Sequence, residues 1–515
     1  MSAAADRRPS IVFVGFMGAG KSTALRAARA AGLPTVEIDQ LMERSFGSTI
    51  PEAFERHGEE GFRAREAEVV GALLEEADDG GAIALGGGSI LSPRIRAALA
   101  RHTVVWLQVD AAEAWRRIAH SDRPLASSAE DVTKLLDVRL PLYEELADAV
   151  VPMGDRQIVG RALPMLRELA DLPAGTKLLW ASAAGGEYPV LVGRGLLGCG
   201  WWPLTSRRFV VHDRAVEGYA ASLGSVELSA EVPSGESSKT LATAERVLEA
   251  LAQGEMTRED HVVAVGGGVV GDLAGFCAHV YKRGVPVVQV PTTIVGQVDS
   301  AYGGKTGVDL ETLKNYVGAY HQPSAVIADT ETLTTLPPRD LSAGFVEVLK
   351  TALLAGGRLW EEVRSLPRID PAGLDGIVFK CARYKCGIVA ADERDDGLRQ
   401  ALNLGHTVGH AIESAGGLDR YRHGEAVGLG LLAALRLSGA ADLRAEVKEI
   451  LARFDLPVGL DPEVRVEDVV GLIQFDKKRT AVGVGFVLLS EPGAPRIGEL
   501  VDPAKVEAAV KELQA

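Results

Sequence analysis

Apolar residues along this chain fall into short runs, and each run opens onto a turn rich in glycine or threonine. Ile11–Val14 is an apolar tetrad that reads as a buried strand. It leads into Gly15-Phe16-Met17-Gly18-Ala19-Gly20-Lys21-Ser22 and then into Thr23–Ala31, an Ala/Arg-rich stretch that favours helix. Further strand-like runs end at Glu37-Ile38-Asp39 and at Leu85-Gly86-Gly87-Gly88-Ser89. Phe62-Arg63-Ala64-Arg65-Glu66 lies on a charged helix, and Arg139-Leu140-Pro141-Leu142-Tyr143 follows later. Beyond a turn-rich break at Asp171–Thr176, the stretch to Leu228 reads as strands and short helices, and Arg208–Asp213 is a strand ending in an acid. His261–Val265 and Val285–Val290 are strand-like and flank a helix-like segment, a βαβ unit. Val346–Lys350 is helix-like, and the i, i+4 spacing of His406 and His410 puts both imidazoles on one helix face.

Length, charge and cysteine usage narrow this picture. A chain of 515 residues exceeds one ordinary core, so about two to four domains are expected. A net charge of −15 argues against nucleic-acid and membrane-surface roles, while local basic pockets remain compatible with anionic substrates. Cys199, Cys277, Cys381 and Cys386 form no CxxC pair, which favours a reducing compartment. The first residues lack the apolar core of a signal peptide, and no apolar run is long enough to span a bilayer. A cytoplasmic protein is expected.

Candidate chemistry begins at the first glycine-rich turn. Gly15–Ser22 fits G-x-x-x-x-G-K-[ST], and it stands between a strand and a helix, the order that a phosphate-binding loop requires. Backbone amides would cradle nucleotide phosphates, Lys21 would neutralise their charge, and Ser22 would ligate Mg²⁺. Taken singly, Arg63, Arg65, Arg123 and Arg139 read as solvated charges. Together with Asp39, Gly86-Gly87-Gly88 and Asp122-Arg123-Pro124-Leu125, the stretch from Pro9 to Leu169 resembles shikimate kinase. That resemblance implies an ATP site on Gly18, Gly20, Lys21, Ser22, Thr23 and Arg117, with shikimate held by Asp39, Arg63, Gly87 and Arg139. It also implies that Arg123 meets the transferring phosphoryl group from a lid, and that Asp39 orients or deprotonates the attacking hydroxyl. Glu37 stands where the family usually has the first acid of Asp-x-Asp, and the lid between Arg117 and Arg123 is short. Gluconate kinase is the rival here; the set Arg63, Gly87 and Arg139 argues against it.

In the second half, Gly266–Gly271 formally satisfies G-x-G-x-x-G, but no acid lies between Asp272 and Asp299, so an ordinary Rossmann dehydrogenase fits poorly. A second glycine-rich turn, Tyr302–Gly307, carries Lys305, suited to a phosphate or carboxylate. Glu347, the pair His406 and His410, and His423 offer imidazoles and a carboxylate for a catalytic Zn²⁺ with open positions. The dispersed motifs PSGESSKT, GGGVVGDLAGF, PTT, VDSAYGGKTGV, KNYVGAYHQP, GFVEVLK, RQALNLGHTVGH and HGEAV resemble 3-dehydroquinate synthase from Lys177 onward. By that resemblance NAD contacts Asp213, Glu236, Lys239, Gly267, Gly268, Asp272, Thr292 and Thr293. Glu347, His406 and His423 hold Zn²⁺ or Co²⁺, and His410 transfers a proton or contacts phosphate. Asp299, Lys305, Lys314, Asn315, Lys350, Arg399, Asn403 and the lysines of Asp476-Lys477-Lys478 bind the substrate, with Lys305 and Lys350 among the catalytic groups. Arg283 reaches a neighbouring subunit's site, which implies a homodimer through this half.

The fold expected is α/β. A P-loop kinase domain with a parallel sheet (1–172) precedes an α/β nucleotide-binding part (177–335) and a mostly helical metal- and substrate-binding part (336–515). The function implied by both resemblances is ATP-dependent phosphorylation of shikimate together with NAD- and metal-dependent cyclisation of 3-deoxy-D-arabino-heptulosonate 7-phosphate to 3-dehydroquinate. Another sugar-phosphate cyclase in the second half, or a nucleotide-binding module without turnover in the first, are the alternatives.

Overall fold

β1 (Ile11–Val14) is buried along its whole length, as a parallel strand covered on both faces must be. The computed structural model describes residues 9–119, 128–311, 313–417, 420–473, 479–480 and 483–514. By their internal contacts they group into two units, Met1–Ala181 with Pro189–Leu191, and Ser182–Tyr188 with Val192–Ala515.

In the first unit, β2 (Thr35–Glu37), β3 (Ala82–Ala84), β4 (Thr103–Gln108), β5 (Ala149–Pro152) and β6 (Lys177–Ala183) join β1 in a parallel sheet of order β2-β3-β1-β4-β5-β6. Helix Lys21–Ala30 begins two residues before the predicted Thr23, so Lys21 and Ser22 occupy its first turn, where unpaired N–H groups face an anion. The turn before it needs glycine, because Gly18 and Gly20 have φ of 76° and 89°. β2 stops at Glu37, and buried Ile38 starts helix Ile38–Phe46. Asp39 therefore stands on a helical turn, not at a strand end.

The second unit begins with β7 (Gly186–Gly193), whose middle residues group with the first unit. Its parallel sheet holds β8 (Arg208–Asp213), β9 (Leu228–Val232), β10 (His261–Gly266) and β11 (Val287–Pro291). After the hairpin β12 (Lys305–Leu310) and β13 (Leu313–Tyr320), β14 (Ala325–Asp329) completes the order β14-β11-β10-β8-β9. Helix Gly268–Val280 makes the crossover from β10 to β11. β11 starts two residues later than predicted: Val285 donates its N–H back to Ala278, and Pro286 has no N–H to give. The predicted turn around Lys305 ends at Gly304, where the chain enters β12.

The remainder is mostly helical, with Pro338–Ala355, Asp375–Ala391, His406–Gly416 and His423–Leu437 at its centre. Glycines set how closely these helices approach. A Cβ at Gly430 would overlap the carbonyl of Gly405, and one at Gly424 would overlap the carbonyl of Ala343. Helices His406–Gly416, His423–Leu437 and Pro338–Ala355 thus meet backbone to backbone, which draws their polar side chains together. None of the described helices is long and apolar enough to cross a membrane. All four cysteines are free thiols, three of them buried.

Candidate active sites

In the first unit the P-loop residues Gly18, Gly20, Lys21, Ser22 and Thr23 line one cavity of about 1090 Å³ together with Asp39, Arg63, Gly87, Arg117 and Arg139. Lys21 Nζ donates to the carbonyls of Gly15 (2.9 Å) and Phe16 (3.0 Å), which curls the ammonium over the loop. Ser22 Oγ donates to Glu37 Oε1 at 2.8 Å, so hydroxyl and carboxylate meet at the helix start, an oxygen pair suited to Mg²⁺ and its waters. The longer acid at position 37 therefore reaches the serine directly. Arg117 is fixed by Glu113 (2.6 Å), the carbonyl of Gly18 (3.0 Å) and that of Met153 (2.6 Å), at the rim of the loop.

Two arginines bracket the Gly86-Gly87-Gly88 turn. Arg139 Nη1 donates to the carbonyl of Gly87 at 3.1 Å, and the Tyr143 hydroxyl donates to the same oxygen at 3.0 Å. Arg63 Nη1 donates to Glu66 at 2.6 Å and its guanidinium lies over the rings of Phe54 and Phe62, while Glu66 also accepts from Ser89 at 2.6 Å. The Nε atoms of Arg63 and Arg139 are buried and make no hydrogen bond, with Glu59 3.7 Å from that of Arg63, while both guanidinium groups line the cavity as forks suited to a planar anion such as a carboxylate. Glu66 and Tyr143 join the expected residues at this site. Their spacings, Arg63 to Glu66 and Arg139 to Tyr143, are the helical i, i+3 and i, i+4 that could have signalled them. Arg123, with its neighbours Asp122, Pro124 and Leu125, lies outside the described residues.

In the second unit the residues expected to contact a dinucleotide stand at the C-terminal ends of parallel strands, the position where open α/β sheets bind ligands. Asp213 ends β8, where its carboxylate accepts from Ala215 N–H (2.8 Å) and the Ser234 hydroxyl. Gly267 and Gly268 follow β10, and Thr292 and Thr293 follow β11. A Cβ at Gly267 would lie 3.0 Å from the Thr293 methyl, and one at Gly268 would lie 3.0 Å from the Ser300 hydroxyl, so bare backbone amides remain approachable at the helix start. Lys239 Nζ donates to Asp272 (2.6 Å) and to Asn315 Oδ1 (2.6 Å), with Glu236 at 3.9 Å. Burial works against the Lys239 charge, but Asp272 outweighs it and holds its pKa up. Asn315 adopts φ of 57° at the hairpin tip, where its N–H reaches Asp309 at 2.6 Å.

Deeper in the same unit, Glu347 Oε1 lies 3.4 Å from Nε2 of both His406 and His423. His410 joins them: one ring nitrogen from each of the three histidines falls within 4.8 Å of the others. His406 Nδ1 faces the carbonyl of Leu404 at 3.2 Å and His423 Nδ1 faces Glu413 at 3.2 Å, so both rings turn Nε2 toward the carboxylate. Glu347 is 1% exposed, and its Oε2 pairs with the Lys350 ammonium while Oε1 faces the two imidazoles. Two imidazoles converging on a buried carboxylate fit Zn²⁺ or Co²⁺. Burial opposes ionisation of Glu347, yet the Lys350 ammonium 2.5 Å from Oε2, with His406, holds its pKa well below the usual carboxylate range.

Cations gather around this cluster. Lys350 also lies 3.5 Å from Asp299, and Lys385 donates to the other Asp299 oxygen; the two ammoniums overcome burial and keep Asp299 ionised. Lys305 pairs with Asp395, and Lys314 donates to Glu413 at 2.8 Å. Arg399 is buried and spends its guanidinium on backbone, 2.6 Å from the Glu393 carbonyl and 3.3 Å from that of Gly303. Asn403 donates to the carbonyl of Gln400 at 3.0 Å. Arg283 stands exposed in a left-handed turn after helix Gly268–Val280, with φ of 67°. Asp476, Lys477 and Lys478 lie outside the described residues. Lys385, Asp395 and Glu413 were not legible as site residues; only Glu413 carried a signal, three positions after His410 on the same helix face.

Comparison with known proteins agrees with this geometry. The shikimate kinase family matches residues 17–167, and the N- and C-terminal domains of 3-dehydroquinate synthase match residues 229–343 and 344–479. A 3-dehydroquinate synthase of Symbiobacterium thermophilum is 42% identical over 352 residues, which span 64% of this chain and 98% of that protein. The structure of a 2-deoxy-scyllo-inosose synthase with carbaglucose-6-phosphate, NAD⁺ and Co²⁺ is 25% identical with a TM-score of 0.59, covering 65% of this chain and 99% of that one. A 2-epi-5-epi-valiolone synthase of Streptomyces hygroscopicus subsp. jinggangensis with NAD⁺ and Zn²⁺ is 26% identical with a TM-score of 0.58, covering 65% and 98%. The chain therefore belongs to the 3-dehydroquinate synthase family and carries a shikimate kinase domain ahead of it.

Proposed function

We propose that the chain catalyses two reactions, phosphorylation of shikimate by ATP in the first unit and conversion of 3-deoxy-D-arabino-heptulosonate 7-phosphate to 3-dehydroquinate and phosphate in the second. One observation carries this reading: each unit gathers its own set of donors, a P-loop facing Arg63 and Arg139 in one, and Glu347, His406 and His423 beside Lys350 in the other.

In the kinase unit, Lys21 and Arg117 neutralise the nucleotide phosphates, and Ser22 with Glu37 holds Mg²⁺. Arg63 and Arg139 receive the carboxylate of shikimate through their guanidinium N–H groups. Asp39 aligns the attacking hydroxyl. This is catalysis by placement and charge compensation, which phosphoryl transfer requires.

In the synthase unit, Glu347, His406 and His423 hold Zn²⁺ or Co²⁺, and the turns after β8, β10 and β11, with Glu236, Lys239 and Asp272, hold NAD. When bound, the ion acidifies a substrate hydroxyl and the nicotinamide takes and returns a hydride, with no net oxidation. Lys350 and Asp299 orient the substrate beside that centre, and Lys305, Lys314 and Asn315 approach it from the hairpin. His410 moves a proton as phosphate leaves. The relatives at about 42% identity are 3-dehydroquinate synthases, which favours this substrate over those of the other sugar-phosphate cyclases. Arg283, exposed beside a half-exposed Val280, is the contact through which a homodimer forms. The cytoplasm is the compartment consistent with free thiols and these substrates.

The test is a pair of assays on the full chain: ADP production that depends on shikimate, and phosphate release from 3-deoxy-D-arabino-heptulosonate 7-phosphate that depends on catalytic NAD. Absence of either dependence overturns the corresponding half, and sedimentation velocity showing only monomer overturns the dimer.

A further inference from the structure

Glu413 stands one turn beyond His410 on helix His406–Gly416, with its side chain 15% exposed. Its two carboxylate oxygens point at different structures. Oε2 faces Nδ1 of His423 at 3.2 Å, across the contact between two helices, and Oε1 accepts from Lys314 Nζ at 2.8 Å, near the tip of the β12–β13 hairpin. The imidazole it touches turns its other nitrogen, Nε2, toward Glu347. His406 is oriented differently, by the backbone carbonyl of Leu404.

We propose that Glu413 is a positioning residue for the metal centre: it fixes the tautomer and ring plane of His423 and makes that imidazole a stronger donor. The inference rests on Glu347, His406 and His423 being the ligands. A carboxylate accepting from Nδ1–H holds the proton on that nitrogen, leaves the Nε2 lone pair free for an ion, and raises the basicity of the ring. A structural ion pair alone would need only Lys314. The second oxygen faces His423, whose side chain extends from the first residue of helix His423–Leu437.

The full chain is stripped with chelator, reloaded with Co²⁺, and followed by its visible absorption and by competition for the ion. Glu413→Gln keeps the shape but presents an amide, and Glu413→Asp keeps the charge but shortens the reach. Both should weaken Co²⁺ binding, by roughly 10- to 100-fold for Gln and less for Asp, and both should shift the absorption bands. Lys314→Met removes the other partner of Glu413 and should leave Co²⁺ affinity within about twofold. Thermal unfolding of each variant checks that the fold is retained, and the Asp variant keeps the test open if the Gln variant does not fold. Affinities within twofold of the parent in both Glu413 variants overturn the role, as does an equal loss in Lys314→Met. A parent chain that takes up neither Co²⁺ nor Zn²⁺ defeats the metal reading itself, which is a separate result.

Discussion

Arg139 donates from Nη1 to the carbonyl of Gly87 at 3.1 Å while its Nε, buried in the same cavity, donates to nothing. The glycine fixes the guanidinium and leaves one edge of it for a ligand. A lysine would keep the charge but could not both hold Gly87 and present a second, planar donor. Arg139→Lys is therefore expected to raise KM for shikimate by on the order of tenfold or more, with KM for ATP changed far less. Arg63→Lys should behave alike, since the Arg63 guanidinium is likewise held by one arm, Nη1 on Glu66, and lines the same cavity. Steady-state kinetics with each substrate varied in turn checks both, and an unchanged shikimate KM in the two variants would remove them from the site.

Lys21→Ala should abolish shikimate phosphorylation, with kcat/KM falling by roughly a hundredfold or more, because charge neutralisation at the phosphates is what this step requires. The phosphate-releasing activity of the second unit should stay near the parent level. Its donors, from Asp213 to His423, all lie within Ser182–Tyr188 and Val192–Ala515. Loss of both activities in a folded Lys21→Ala chain would contradict independent units.

The legibility of these sites in the sequence followed the range of the interactions. Residues tied to a local pattern were readable. Gly18 and Gly20 sit in a loop whose backbone demands them, Lys21 follows at the helix start, and His406 and His410 announce a helix face. Pairings made by tertiary packing were not. Lys385 reaches Asp299 from helix Asp375–Ala391, and nothing around Lys385 distinguishes it from a surface lysine until the fold buries it. Arg399 has a motif that implies a substrate contact, and its guanidinium is held by the carbonyls of Glu393 and Gly303, partners that tertiary packing supplies and the motif does not announce. Element ends shifted where one residue's chemistry overrode the apolar pattern, as at Pro286 before β11.

Chelation with EDTA should stop phosphate release from 3-deoxy-D-arabino-heptulosonate 7-phosphate, and Zn²⁺ or Co²⁺ should restore it. Mg²⁺ must be returned before the kinase is assayed. His406→Ala should lose bound metal and synthase activity together, because two protein ligands hold the ion poorly. His410→Ala should retain metal while kcat falls by roughly a hundredfold, as expected for loss of a proton-transfer group. All three histidines lie close enough to serve as ligands, so metal analysis decides between them. Full occupancy in His406→Ala with loss in His410→Ala would exchange their roles.

The last prediction concerns His261, which is fully buried at the start of β10. Trp202 Nε1–H donates to its Nε2 at 2.9 Å, so the ring proton sits on Nδ1, 2.8 Å from the Ser206 hydroxyl. Burial, reinforced by Arg208, pushes its pKa down to about 4 from an ordinary 6.5. The unfolded chain therefore binds this proton more readily than the folded one between about pH 4 and 6.5. Stability is present in full above the unfolded pKa and is lost as pH falls through that window, by up to about 3 kcal/mol at 1.36 kcal/mol per pKa unit. The neighbouring Asp260, held down to about 2 chiefly by Arg207 and Thr257 against burial, loses its contribution only at lower pH. Urea unfolding of the second unit, followed by tryptophan fluorescence from pH 7 to pH 4.5, should show this decline. His261→Asn carries no titrating ring, so it should be less stable than the parent at pH 7, and the difference should shrink as the pH falls. A difference that stays constant across that range would mean His261 remains neutral in both states or charged in both, and would exclude this linkage.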